Sequence, residues 1–262
     1  MEEIHDYSNK RLFFCLHPYI SVAVARVVLK FMRVAIIQSN YIPWKGYFDI
    51  INDVDVFVFL DDVQYTVRDW RNRNLIKTPS GLQWLTIPVG SGRERKIFEV
   101  EIREKGWAKQ HWETIERFYS RARFFSECRA FFEEVYLNKE WVNLSTLNQF
   151  LIKEISTRFL GIKTAFYDSR DIPSEGARQQ KLISILKYLK ADTYISGPSA
   201  KDYIEPEEFH KTGIELIYKS YDGYPEYPQL FGQFEHGVSI IDLLFNAGVE
   251  AQYYIWGWRG RR

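Results

Sequence analysis

The segment Ser39–Ile51 (SNYIPWKGYFDII) follows directly on the apolar run Val34-Ala35-Ile36-Ile37-Gln38 and reads as strand, tight loop, helix. The run is short, uncharged and rich in β-branched residues, the pattern of a strand buried on both faces of a parallel sheet. Asn40, Pro43 and Gly46 interrupt the strand pattern, and Tyr47, Phe48, Ile50 and Ile51 supply the apolar side of a helix. That helix is expected to begin near Pro43, since the first helical position has no intrahelical partner for an N–H. Its free amides and positive dipole end would face the loop, which suits an anion. A second apolar run, Val54–Leu60, ends in Asp61-Asp62. Two buried strands joined by a short helix make a βαβ unit, and its ligands sit beyond the carboxyl ends of the strands. Gln38-Ser39-Asn40 and Asp61-Asp62-Val63-Gln64 are therefore expected on one rim.

Further along, Leu75-Ile76-Lys77 and Gln83–Val89 flank the turn Thr78-Pro79-Ser80-Gly81 and predict a β-hairpin. Apolar residues at three and four spacing predict helices over Trp107–Tyr119, Phe124–Tyr136 and Leu144–Leu160, the last stopped by Gly161. Strands are expected at Thr164–Tyr167, Thr193–Ser196 and Ile214–Tyr218. Helices are expected at Gln179–Leu189 and Ser239–Phe245, the latter closed by Asn246-Ala247-Gly248. The fold class is α/β: a Rossmann-like parallel sheet with a hairpin, in a single domain 32–262 carrying a helical insert over residues 105–161.

A net charge of +1 gives no global reason to expect nucleic acid or a membrane surface as partner. Cys15 and Cys128 lie far apart without histidines at ligand spacing, so neither a disulfide framework nor a zinc site is expected, and a reducing cytoplasm fits. Before Met32 the chain is apolar, but His17, Pro18, Arg26 and Lys30 break it, leaving no run of the ~18 residues a spanning helix needs. Residues 1–31 are expected to be an extension outside the fold, with an amphipathic helix as the alternative. Scattered histidines and the lack of G-x-S-x-G, Walker or dinucleotide glycine motifs argue against triad hydrolases, P-loop enzymes and ordinary NAD enzymes.

A second anion-binding candidate is Ser196-Gly197-Pro198-Ser199, another strand end, where Ser199 and Asp202 have capping-box spacing. A plain helix cap satisfies the same pattern. Arg68, Arg71, Arg73 and Lys77, with Asn72 and Asn74, could clamp a phosphate or carboxylate, or could be satisfied by Asp61, Asp62 or Asp69. Trp70 among these arginines suits stacking, although the near-neutral chain argues against a nucleic-acid groove. Asp61 and Asp62 could bind Mg²⁺, act as a base, hold a ribose hydroxyl, or close a turn. The loop Tyr224–Glu235, with Gln229 in it, is either a pocket wall or an ordered loop packed on the core.

Six ordered segments resemble the WbqC-like family of bacterial proteins, often encoded among surface-polysaccharide genes: Gln38–Ile51, Asp55–Tyr65, Arg71–Lys77, Trp84–Val89, Tyr194–Tyr203 and Tyr227–Gly248. The resemblance implies glycan decoration, with transfer of an acyl or amino-acyl group to an amino sugar. A more distant similarity is to nucleotidylyltransferases, with Trp44–Tyr47 at their [HT]-x-G-H position and Ile195–Ser199 at their second phosphate motif. Tyr47 stands where that superfamily carries its last histidine and cannot supply an imidazolium charge, which favours binding of a nucleotide or nucleotide sugar over adenylyl transfer.

On this reading Tyr47, Asp61 and Asp62 are the catalytic candidates. Gln38, Asn40, Tyr41, Trp44, Gly46, Arg71, Asn72, Arg73, Asn74, Ser196, Gly197, Ser199 and Gln229 are the ligand-binding ones. A small-molecule substrate, with Mg²⁺ accompanying a nucleotide, is the implied ligand; self-association is left open. The rival is a noncatalytic ligand-binding or scaffold protein of a glycan-assembly complex.

Overall fold

The computed structural model describes residues 31–92 and 94–260; the expectation for the first 31 residues falls almost wholly outside them. The strands among the described residues are β1 (Arg33–Ile37), β2 (Val56–Phe59), β3 (Arg73–Thr78), β4 (Gly81–Thr86), β5 (Ala165–Asp168), β6 (Thr193–Ser196) and β7 (Glu215–Tyr218). Five form a parallel sheet in the order β5-β2-β1-β6-β7, and β3 pairs antiparallel with β4 as the expected hairpin. Thr78 lies opposite Gly81, so Pro79-Ser80 is the two-residue turn.

The sheet is apolar on both faces because it is covered on both. Ala35, Phe57, Phe59 and Ile195 point into one core, together with α1 (Lys45–Asn52) and the insertion helices α2 (Trp107–Tyr119), α3 (Phe125–Glu133) and α4 (Leu144–Glu154). Val34, Ile36, Val56, Val58 and Tyr194 point into the other, against Leu182, Ile185 and Leu186 of α5 (Gln179–Tyr188) and Phe209 of α6 (Pro206–His210). This alternation of side chains is what turns an uninterrupted apolar run into two separate packing surfaces. The last helix, α7 (Ile240–Ala247), joins the first core; its N-cap is Ser239, whose hydroxyl accepts from the Ile241 N–H.

Two expectations about helix starts change. α1 begins at Lys45 rather than near Pro43, with Trp44 as its cap residue and no side-chain cap bond. Pro43 instead offers its carbonyl to the Ile240 N–H at 2.9 Å, which ties the loop to the start of α7. Gly197, not Ser199, caps the short 3-10 stretch Pro198–Asp202, so the capping box does not form. The stop at Gly161 holds: its φ of +59° is left-handed, which glycine adopts without strain.

Candidate functional site

Chain connections run from β1 to β2 in one direction along the sheet, while β6 lies on the other side of β1. The carboxyl ends of β1 and β6 therefore flank a topological switch point, where open α/β sheets place their ligands. The loop after β1 is fixed there by its neighbours. Asn74 Nδ2 donates to the carbonyls of Tyr41 and Ile42, each at 3.0 Å, and Ser239 Oγ donates to the Ile42 carbonyl at 2.7 Å. Asn74 Oδ1 accepts from the Leu75 N–H, so this amide is fully used as a clamp.

The two strand-end turns do share one rim, but they do not form a joint anion cradle. The Trp44 indole lies over Gly46 so closely that a Cβ there would fall 2.3 Å from the ring. Trp44 packs edge-on against Tyr221 at 4.9 Å, and the Tyr221 hydroxyl lies 3.9 Å from the Cβ position of Gly197. Two aromatic side chains thus fill the space between the turns. Tyr47 is also committed: its buried phenol donates to the Gln38 carbonyl at 2.9 Å, and burial raises its pKa well above the ordinary value. Tyr41 is fully buried, bonded to His111 Nδ1 at 2.8 Å and to the Tyr136 hydroxyl at 2.6 Å. Ser196 is buried and Ser199 exposed.

The aspartates that end β2 are occupied as well. Asp61 is 0% exposed and accepts from the Ser39 N–H at 2.8 Å, from Gln149 Nε2 at 3.1 Å and from the Ser145 hydroxyl. Gln149 also donates to Asp168 at 2.8 Å, and Arg170 closes on Asp168 through Nε and Nη2. A carboxylate so placed positions β1, β2 and α4 and cannot touch a substrate in this arrangement. Asp62 pairs with Lys181 and accepts from Ser169 Oγ at 2.6 Å. Burial works against its charge, but the bonds from Lys181 and Ser169 outweigh burial and hold its pKa below the usual carboxylate value, which weakens it as a base. With one carboxylate saturated by neutral donors and the other by a cation, these two residues do not fit as Mg²⁺ ligands, and no group of three or more potential metal-ligating side chains occurs among the described residues.

Arg71 stands differently. Its Nη1 donates to Asn40 Oδ1 at 2.8 Å and its Nη2 lies 3.6 Å from Asp69, while Nε has no partner. The guanidinium is near enough to Tyr47 and Tyr203 to offset part of the rise that burial gives the pKa of both. Two buried amide oxygens in the same neighbourhood are also unpartnered: Asn72 Oδ1, whose nitrogen donates to the Ile87 carbonyl at 2.8 Å, and Asn148 Oδ1, whose nitrogen donates to the Arg71 carbonyl at 2.8 Å. Buried polar atoms without protein partners are places where a water or a ligand atom can bond. Beside them lies a cavity of about 300 Å³ lined by Asn40, Pro43, Trp44, Trp70, Asn74 and Gly237. Arg73 faces away from it, stacked 4.1 Å over Trp84 and bonded to the Arg68 carbonyl at 2.5 Å.

The profile of the WbqC-like protein family matches residues 38–254, from the loop after β1 to beyond α7. The chain belongs to the WbqC-like family. A protein of Mycobacterium tuberculosis named "Uncharacterized protein Rv1507c" is 47% identical over 225 residues, covering 85% of this chain and 97% of that relative. No solved structure matches the chain.

In this WbqC-like protein the loop Tyr224–Glu235 packs on the core rather than hanging over it. Gln229 bridges Lys77 Nζ at 2.7 Å, Asp242 Oδ1 at 2.7 Å and the Glu235 N–H at 2.9 Å, which makes it a loop clamp. Sequence reasoning missed Lys45. The residue is 2% exposed, its ammonium faces the rings of Tyr224, Tyr227 and Phe234 at 4.8, 5.4 and 5.6 Å, and burial lowers its pKa to about 8. Its position between Trp44 and Gly46 was the available signal. Tyr221 and Tyr203 were missed because they lie in loops without periodicity.

Proposed function

We propose that this WbqC-like protein binds a nucleotide or nucleotide-linked sugar at the rim beside β1 and transfers an acyl or amino-acyl group to an amino sugar in bacterial surface-polysaccharide biosynthesis, in the cytoplasm. The observation that carries this reading is Arg71, bonded to Asn40 through Nη1 and only loosely paired with Asp69 at 3.6 Å through Nη2, next to a cavity walled by tryptophan. A guanidinium fixed in this way can take a phosphate or carboxylate without first losing side-chain freedom. Gln38, on the strand end beside Asn40, is half-buried and adds an amide to the same rim. Among the described residues no helix is long and apolar enough to cross a membrane.

A noncatalytic ligand-binding role is the second reading, and the ion pair of Asp62 with Lys181 favours it, because it leaves that carboxylate neutralised. Titration calorimetry with nucleotides and nucleotide sugars, with and without Mg²⁺, alongside mass-spectrometric detection of acylated product, separates the two. The transferase reading expects binding, product, and about a tenfold or greater loss of affinity in Arg71→Ala, the size of a lost charged hydrogen bond. Binding without product supports the second reading. Full affinity in Arg71→Ala, or no binding by the native protein, overturns the site.

A further inference from the structure

The cavity beside Arg71 has a chemistry of its own. Trp70 forms one wall and is 44% exposed; Trp84, its neighbour at 5.4 Å between ring centroids, is 41% exposed. Fully burying a large apolar side chain stabilises a fold by roughly 1.5–3 kcal/mol, so two adjacent indoles left in water forgo a considerable gain. The backbone that carries Trp70 and the ring of Trp84 are nevertheless held in place. The Trp70 carbonyl accepts from the Tyr41 N–H at 3.0 Å and its N–H donates to Asp69 at 2.7 Å, while the Arg73 guanidinium fixes Trp84 from above.

The polar groups of the lining narrow the occupant. Asn74 has spent its donor and acceptor on the loop backbone. Asn40 has given its oxygen to Arg71, and its nitrogen donates to no described residue. An amide left with only its donor cannot make the paired donor–acceptor contact by which asparagine reads a nucleobase edge. It can donate to a hydroxyl. About 300 Å³ is at the small end of ligand pockets, room for one ring and not for a whole nucleotide sugar. The apolar face of a chair-shaped ring suits an indole wall, and because Asn40 is bonded directly to Arg71, an anionic substituent on that ring would reach the guanidinium at Nη2, whose contact with Asp69 is a long 3.6 Å.

We propose that this cavity is the subsite for a hexopyranose ring bearing an anionic group, with Trp70 as its stacking wall, Asn40 as its hydroxyl donor and Arg71 as its anion contact. The proposal rests on the function argued above and names the part of the ligand that the cavity takes. It assigns Trp70 a binding role that the fold does not require.

Saturation-transfer NMR and fluorescence titration with glucosamine 1-phosphate, uridine monophosphate and inorganic phosphate test it on the native chain, Trp70→Ala and Trp70→Phe. The expected result is saturation of the pyranose protons of glucosamine 1-phosphate and tighter binding of it than of inorganic phosphate. Trp70→Ala should weaken that binding about fivefold to tenfold, as expected for a lost aromatic contact with its buried area. Trp70→Phe should restore most of it, and neither variant should alter phosphate binding. Saturation confined to the uracil protons of uridine monophosphate, or affinity for glucosamine 1-phosphate unchanged in Trp70→Ala, overturns the pyranose subsite. Either result leaves anion binding by Arg71 standing if phosphate still binds. Failure of all three probes to bind the native chain removes both readings, and the native NMR result decides even if Trp70→Ala fails to fold.

Discussion

His111 shows how a single buried side chain couples the rim loop to the helical insertion. It is 6% exposed on α2 and touches the Thr86 carbonyl of the hairpin at 3.2 Å through Nε2. A carbonyl can only accept, so Nε2 carries a proton; with the imidazole neutral, Nδ1 then accepts from Tyr41, and Tyr41 in turn accepts from Tyr136. Burial is what keeps the imidazole neutral: it pushes the pKa of His111 down to about 4 from an ordinary 6.5. The unfolded chain therefore takes up a proton between pH 6.5 and 4 that the folded chain refuses. The contribution is flat above pH 6.5, declines as pH falls through that window, and levels off below pH 4. His111→Gln removes this dependence. The stability gap between the native protein and that variant should shrink by about 2 kcal/mol from pH 7 to pH 5 in urea unfolding. A gap independent of pH would mean that the imidazole is not held neutral by burial.

At the scale of elements, strands and helices were legible because their periodicity is written locally. The hairpin around Pro79-Ser80, the insertion helices and the stop at Gly161 all follow from spacing and turn chemistry. Side-chain direction across elements was not legible. Nothing in the spacing of Ser39–Ile51 says that the Trp44 indole folds back over Gly46, or that Tyr221 meets it from a distant loop, and those two rings decide that the turns near Gly46 and Gly197 do not cradle an anion together. Asp61 is the same case in polar form. Its position after β2 suggested chemistry, but its partners Ser145 and Gln149 come from α4, more than eighty residues away. Replacing it with alanine leaves the Ser39 N–H, the Ser145 hydroxyl and the Gln149 amide facing one another in a site with no solvent access. Asp61→Ala is expected to lower stability by about 3 kcal/mol or more, and Asp61→Asn by less, measured by denaturant unfolding. Unchanged stability combined with lost activity would return Asp61 to the catalytic role that its sequence position suggested.

For the described residues taken together, the buried carboxylate of Asp49 gathers segments that are far apart in the chain. On the inner face of α1, it receives Lys219 Nζ at 2.9 Å from the end of β7. It also receives the Tyr224 hydroxyl at 2.5 Å from the aromatic loop, and Arg259 through two bonds at 3.0 and 2.5 Å from near the chain's end. The pair with Lys219 compensates the buried charge; the bonds to Arg259 and Tyr224 convert that charge into a fastening. The fastening bears on the candidate site from behind, since Tyr224 and Tyr221 both pack edge-on against Trp44, which forms a wall of the cavity. Arg259→Ala leaves Lys219 in place, so the charge stays compensated, and the cost is expected to be about 1–3 kcal/mol, below that of breaking an isolated buried pair. The effect should be local: amide hydrogen exchange should speed up over residues 221–236 and at the start of α1, and stay unchanged in the β3–β4 hairpin, whose pairing does not pass through Asp49. Affinity for a ligand in the cavity should fall in the same variant, although Arg259 is not among the cavity's lining residues. Uniform acceleration across the sheet would make Arg259 a general stabiliser, and no acceleration anywhere would show that Lys219 and Tyr224 suffice to hold the loop.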